Sequence, residues 1–190
     1  MTLFELIIVT GIFSIMSSVA IFNYGKLQAK IDIKNLANDI ALKVVEAQKS
    51  SFSGKWNASF EANRKPAYGL YFDISIPTKF VYFSDLNNGG TCSDPGCVPP
   101  YSLGGEVTDV ITVTRGNSLT TPGGLEVAGS GCISPVSSLT IVFKRPNTSP
   151  TITSNPAQSC AISYITVNVT SPKSLSAKIK IYASGRVQID

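Results

Sequence analysis

Residues 1–22, MTLFELIIVTGIFSIMSSVAIF, form an apolar run with one charge, the carboxylate of Glu5. Coiled at about 1.5 Å per residue, such a run spans roughly 33 Å, enough to cross a bilayer core. The first basic residue is Lys26, beyond the run, so the basic flank that precedes a secretory signal is missing and the run reads as a retained anchor. From Leu27 onward the pattern turns amphipathic. Ile33, Leu36, Ala37, Ile40, Val44 and Ala47 recur at spacings of three and four, while Lys34, Asn38, Asp39, Lys43 and Glu46 fall largely on other faces. No proline precedes Pro66. The pattern predicts one helix from about residue 2 to about residue 52, roughly 75 Å long, with Gly11 and Gly25 as its loosest points.

After Ser51-Phe52-Ser53-Gly54 the period changes. AYGLYFD at 67–73 and KFVYF at 79–83 are aromatic and β-branched runs split at Pro77, and read as strands. Further strands are expected at 107–114 and 139–144. Ile165, Val167 and Val169 alternate with Thr166 and Asn168, as Ala177, Ile179 and Ile181 do with Lys178 and Lys180, giving one buried and one wet face. Ala183-Ser184-Gly185 reads as a hairpin turn into a closing strand at 186–189. The order predicts an α+β fold: an antiparallel sheet packed on the second half of one long helix. The chain divides into an apolar helix half (1–25), an amphipathic half (26–52) and a β-rich domain (53–190).

Between the strands lies DLNNGGTCSDPGCVPPYSLGGE, residues 85–106, long enough to need a function or a tie. The four cysteines, Cys92, Cys97, Cys132 and Cys160, all lie beyond the anchor, and an even count there reads as two disulfides. Sequence alone leaves three pairings open. The turn-forming Ser93-Asp94-Pro95-Gly96 favours Cys92–Cys97, which leaves Cys132–Cys160. Asp85, Asn87 and Asp94 are weak calcium candidates, but the position of an EF-hand's last ligand holds Gly96, and Asx turns explain the pattern better.

Composition narrows the chemistry. There is no histidine, so Ser-His-Asp and Cys-His sets are excluded, and no cofactor or metal motif is present; an enzyme is not expected. The net charge of +4 is spread along the chain without a basic block, which argues against a dedicated nucleic-acid or anionic-lipid patch. Trp56, the single tryptophan, is expected to pack, with a filament contact as the sharper alternative. Asn57, Asn147 and Asn168 head N-x-S/T triplets of the kind that arise often by chance.

The segment Met1-Thr2-Leu3-Phe4-Glu5-Leu6-Ile7-Ile8-Val9 resembles the N-terminus of mature type IV pilins and type II secretion pseudopilins. These begin with a methylated apolar residue, then Thr, two apolar residues, Glu and a long apolar helix. The likeness implies cleavage by a prepilin peptidase just before Met1, after a short basic leader that is absent here. Two positions depart from the pattern: residue 1 is Met where Phe is commoner, and residue 22 is Phe where many pilins carry Pro. The likeness further implies a structural subunit of an extracellular pilus serving adhesion or motility, held first in the inner membrane and then assembled as a helical homopolymer. Its partners would be copies of itself and the assembly machinery. Glu5 would pair with the N-methylated amine of a neighbouring Met1, while Leu3, Phe4, Leu6, Ile7 and Gly11 pack between helices; Thr10, Ser14, Ser17 and Ser18 are small enough to let helices approach. Ser184-Gly185-Arg186-Val187 resembles the minor-pilin and pseudopilin branch, some members of which bind DNA through arginines after such a Gly-Arg; Gly185-Arg186-Val187-Gln188 holds one arginine, which argues against DNA uptake. The alternatives are a minor pilin or pseudopilin, and a membrane-anchored adhesion module.

Overall fold

The computed structural model describes residues 2–56, 65–87, 89–92, 97, 101, 103, 105–119, 124–147 and 149–190. It opens with one helix, α1 (Leu3–Ser53), of 51 residues. Thr2 caps its start: the Thr2 hydroxyl accepts from the Glu5 amide, and the Glu5 carboxylate accepts from the Thr2 amide, so each satisfies a donor the first turn would leave unpaired. The far end closes in a Schellman turn, with Gly54 at φ 61° and the Lys55 amide donating to the Ser50 carbonyl. Between these caps α1 runs unbroken through Gly11, Phe22 and Gly25.

Ten strands follow among the described residues: β1 (Ala67–Asp73), β2 (Lys79–Asp85), β3 (Val107–Thr112), β4 (Leu125–Gly129), β5 (Cys132–Val136), β6 (Ser138–Phe143), β7 (Thr151–Asn155), β8 (Ile162–Thr170), β9 (Ser176–Tyr182) and β10 (Val187–Ile189). The α+β architecture is as expected, but the strands form two antiparallel sheets where the pattern suggested one. The first has the order β3-β2-β1-β6-β7 and the second β10-β9-β8-β4-β5. The strands the pattern passed over, β4, β5 and β7, have physical reasons to be faint. β5 and β7 are sheet edges; β5 carries Pro135, tolerable only where a ladder bond is dispensable, and β7 is mostly Thr, Ser and Asn. β4 is short, and Glu126 interrupts it.

Both sheets bury their inner faces against the second half of α1. Ile33, Leu36, Ala37, Ile40, Val44 and Ala47 enter one core with Tyr68, Leu70, Phe72, Phe80, Tyr82, Leu139, Ile141 and Phe143 of the first sheet, and with Leu125, Val127, Ile165, Val167, Val169, Ile179 and Ile181 of the second. The first sheet is covered on its outer face too. Val81, Phe83, Val107 and Val142 form a second apolar layer under Cys97 and Tyr101 of the 85–106 segment. Burial on both sides explains why β2 reads Phe-Val-Tyr-Phe without alternation. Gly69 belongs to this layer: it pairs with Phe83, and a Cβ there would run into the Ile141 carbonyl and lie 2.9 Å from the Phe83 ring. Gly69→Ala is therefore expected to cost about 1–3 kcal/mol in denaturant unfolding of the full chain in detergent, by overpacking.

The core tyrosines set a pH dependence. Burial pushes the Tyr82 phenol up to about 12, and burial also raises Tyr68 and Tyr101. An unfolded phenol titrates near 10, so above that pH the folded chain holds protons the unfolded chain has lost. The contribution of these tyrosines to stability should be constant below about pH 10 and be lost as the pH rises towards about 12, which unfolding curves alongside ultraviolet tyrosinate titration would show.

Candidate assembly surface

The first half of α1 stands clear of the domain. Every described side chain from Thr2 to Met16 is exposed, with Leu3 at 79% and Phe4 at 72%, and Leu6, Ile7, Ile12, Phe13 and Ile15 follow them. The segment is long and apolar enough to cross a membrane by length and composition. So much contiguous apolar surface in water is unfavourable and calls for a cover of lipid or protein. Its polar groups are fitted for a dry setting. The Thr10 hydroxyl donates to the carbonyls of Leu6 and Ile7, and a Cβ on Gly11 would meet nothing within 4 Å, so nothing within the chain requires glycine there. Glu5 carries the one charge among the described residues of this half, and within the chain its carboxylate turns back onto its own helix cap. Met1, whose amine is the expected partner, lies outside the described residues.

Where α1 enters the domain, two loops clasp it. Arg115 forms an ion pair with Asp32, which also accepts from the Gln28 amide at 3.0 Å. Arg115 sits at φ 61° and Gly116 at φ 71°, a turn that only the glycine adopts without strain. Beside it the loop 171–175 is folded on the Ser171 hydroxyl, which accepts from the amides of Lys173 and Leu175. A polar groove of about 250 Å³ runs along this foot, lined by Asp32, Asn35, Asp39, Thr112, Thr114 and Arg115. Neither the clasp nor Lys173 stood out in the sequence; Arg115-Gly116-Asn117 was its one local signal, a turn triplet between apolar runs.

The other candidate residues fall elsewhere. Cys92 pairs with Cys97, and Cys132 with Cys160 across 28 residues. The near approach of Glu106 to the first pair offers no metal site, since both sulfurs are bonded to each other. Asp85, fully buried at the end of β2, accepts from the amides of Gly89 and Gly90, one to each oxygen, and Asn87 accepts from Gly89. These are turn-forming roles; Asp94 lies outside the described residues. Trp56 does not pack: just past the helix cap, it is 65% exposed. The carbonyl of its neighbour Lys55 accepts from the Tyr68 hydroxyl, which fixes the chain's exit there and leaves the indole facing outward. Asn168 is buried in β8, which closes that triplet to a sugar, while Asn147 is exposed and Asn57 lies outside the described residues. The Arg186 guanidinium stacks 4.2 Å from the Tyr182 ring centroid and bonds Gln188, so it is engaged within the β9–β10 hairpin.

Comparison with protein-family models, curated proteins and solved structures finds no match to this chain.

Asp85→Ala would strand the Gly90 amide and leave the Gly89 amide to Asn87 alone, and is expected to cost about 1–3 kcal/mol in thermal or denaturant unfolding, with the 85–106 segment exchanging amide protons faster.

Proposed function

We propose that the chain is a structural subunit of an extracellular type IV pilus, held in the inner membrane by residues 1–25 before assembly and joined to copies of itself through the same helix afterwards. The observation that carries this reading is the free half of α1, apolar and exposed, with Glu5 as its one charge among the described residues. A plain anchor gains nothing from a carboxylate at that depth, which costs about 2.5–3.5 kcal/mol on insertion scales. A subunit gains a docking charge. Moving the helix from lipid into a bundle of like helices keeps it in an apolar setting, so packing and pairing supply the drive. The α-amino group of Met1, titrating near pH 8 when free, offers the opposite charge at neutral pH, and methylation keeps it.

Within the chain the carboxylate of Glu5 already caps its own helix, so two variants separate the roles. Glu5→Ala removes cap and charge; Glu5→Gln keeps an acceptor and removes the charge. Both are expected to cut filament yield by at least about a hundredfold, because an amine left unpaired in an apolar bundle costs about 3–5 kcal/mol. The β domain should keep its near-ultraviolet circular dichroism in each. Normal filaments from Glu5→Gln would overturn the pairing. The parent measurement is negative-stain microscopy of material sheared from cells, with intact-mass analysis of the purified chain. Thin filaments made mainly of this protein, with one methyl on Met1, support the pilus; a methylated chain that stays in the membrane points instead to a minor pilin or pseudopilin. An unmethylated monomer in detergent would favour a membrane-anchored adhesion module.

A further inference from the structure

Along the chain the basic residues look scattered, but the fold gathers three of them. Lys26 and Lys30 stand one helical turn apart on α1, immediately after the exposed apolar half, and share one side of the helix. Lys173, more than a hundred positions later, is brought to them by the clasp loop. Its ammonium occupies the space a side chain on Gly25 would need, so the glycine makes room for it. Together Lys26, Leu27, Lys30, Lys173 and Leu175 line an open groove of about 710 Å³ with an apolar floor and a cationic rim. All three lysines are exposed. The acid nearest them on α1, Asp32, is taken by Arg115 and Gln28, and among the described residues none of the three lysines forms an ion pair.

Depth decides what meets this groove. If residues up to about 24 fill the hydrocarbon core, Lys26 and Lys30 fall at the level of the headgroups, where amphipathic side chains keep their stems in apolar surroundings and their ammoniums at the phosphates. We infer that this groove docks the domain onto the bilayer surface by binding the phosphodiester headgroups of anionic lipids, with Leu27 and Leu175 against the upper acyl chains. The inference rests on the membrane-held stage of the proposed function. It gives the subunit a resting posture: the domain lies down on the leaflet from which its helix emerges, and leaves those headgroups when the helix is withdrawn.

The test uses the full chain reconstituted into vesicles of phosphatidylcholine, with and without phosphatidylglycerol, and reads flotation together with amide hydrogen exchange. In anionic vesicles the amides of Lys173, Ser174 and Leu175 should exchange at least about threefold more slowly than in neutral ones. The difference should vanish in molar salt, and in a Lys26→Gln/Lys30→Gln/Lys173→Gln variant with unchanged near-ultraviolet circular dichroism. Equal exchange in the two lipids, with the chain floating in both, overturns the docking and leaves the anchor standing. Failure to float with either lipid removes the anchor itself and the docking with it. Equal slowing by inorganic phosphate in neutral vesicles identifies a free-phosphate site and overturns the lipid assignment.

Discussion

Everything in this molecule hangs on one stripe of α1. Ala37, Ile40, Val44 and Ala47 have no accessible surface, and they are where two separate sheets find a common core. The helix is a layer that both sheets share, each packing apolar side chains of its inner face into the core around it, as a sheet needs a second layer to cover its apolar side. The large residues of the stripe each contribute on the order of 1.5–3 kcal/mol by burial, and the alanines set how closely strands approach. Because the stripe is confined to the amphipathic half, the first half of the helix is released from any duty to the domain. The free apolar surface and the compact β domain are thus two results of the same change in periodicity near Leu27.

That change in periodicity is why much of the fold was legible in the sequence. An apolar run, a period of three to four up to the helix end, then short apolar runs broken by turn residues give the helix to within a residue at each end and the strands β1, β2, β3, β6, β8, β9 and β10, with β8 beginning three residues before its alternation marks it. The split into two sheets was not legible, because it depends on which strands pair across long gaps: β1 with β6 and β4 with β8 are choices of the whole chain. The covering of the first sheet's outer face was half visible. A long loop with two cysteines announced a tie, and the unalternating β2 is the mark of a strand buried on both faces, though it reads equally well as a strong β former.

At the candidate assembly surface the sequence showed the charges that stand alone and hid those that are made by folding. Glu5 is conspicuous because nothing near it in the run is polar except hydroxyls. The second role of its carboxylate, as half of a capping box with Thr2, was present in the Thr-x-x-Glu spacing all along. Lys173 and Arg115 carried no such signal; their meaning comes from loops that fold back on α1. Trp56 shows the opposite error: an aromatic side chain suggested burial, and its position just past the helix cap kept it out.

The clasp between Arg115 and Asp32 and the buried stripe behind it also define a mechanical route. Tension applied along the free half of α1 enters the domain at that clasp and passes to side chains that interdigitate with both sheets over several helical turns. To slide, these contacts must yield together, since close-packed surfaces do not deform by degrees. A lengthwise pull on this helix would therefore be shared in shear between two sheets, and the far end of α1 is closed by the Schellman turn, where the Ser51 hydroxyl donates to the Phe143 carbonyl of the first sheet.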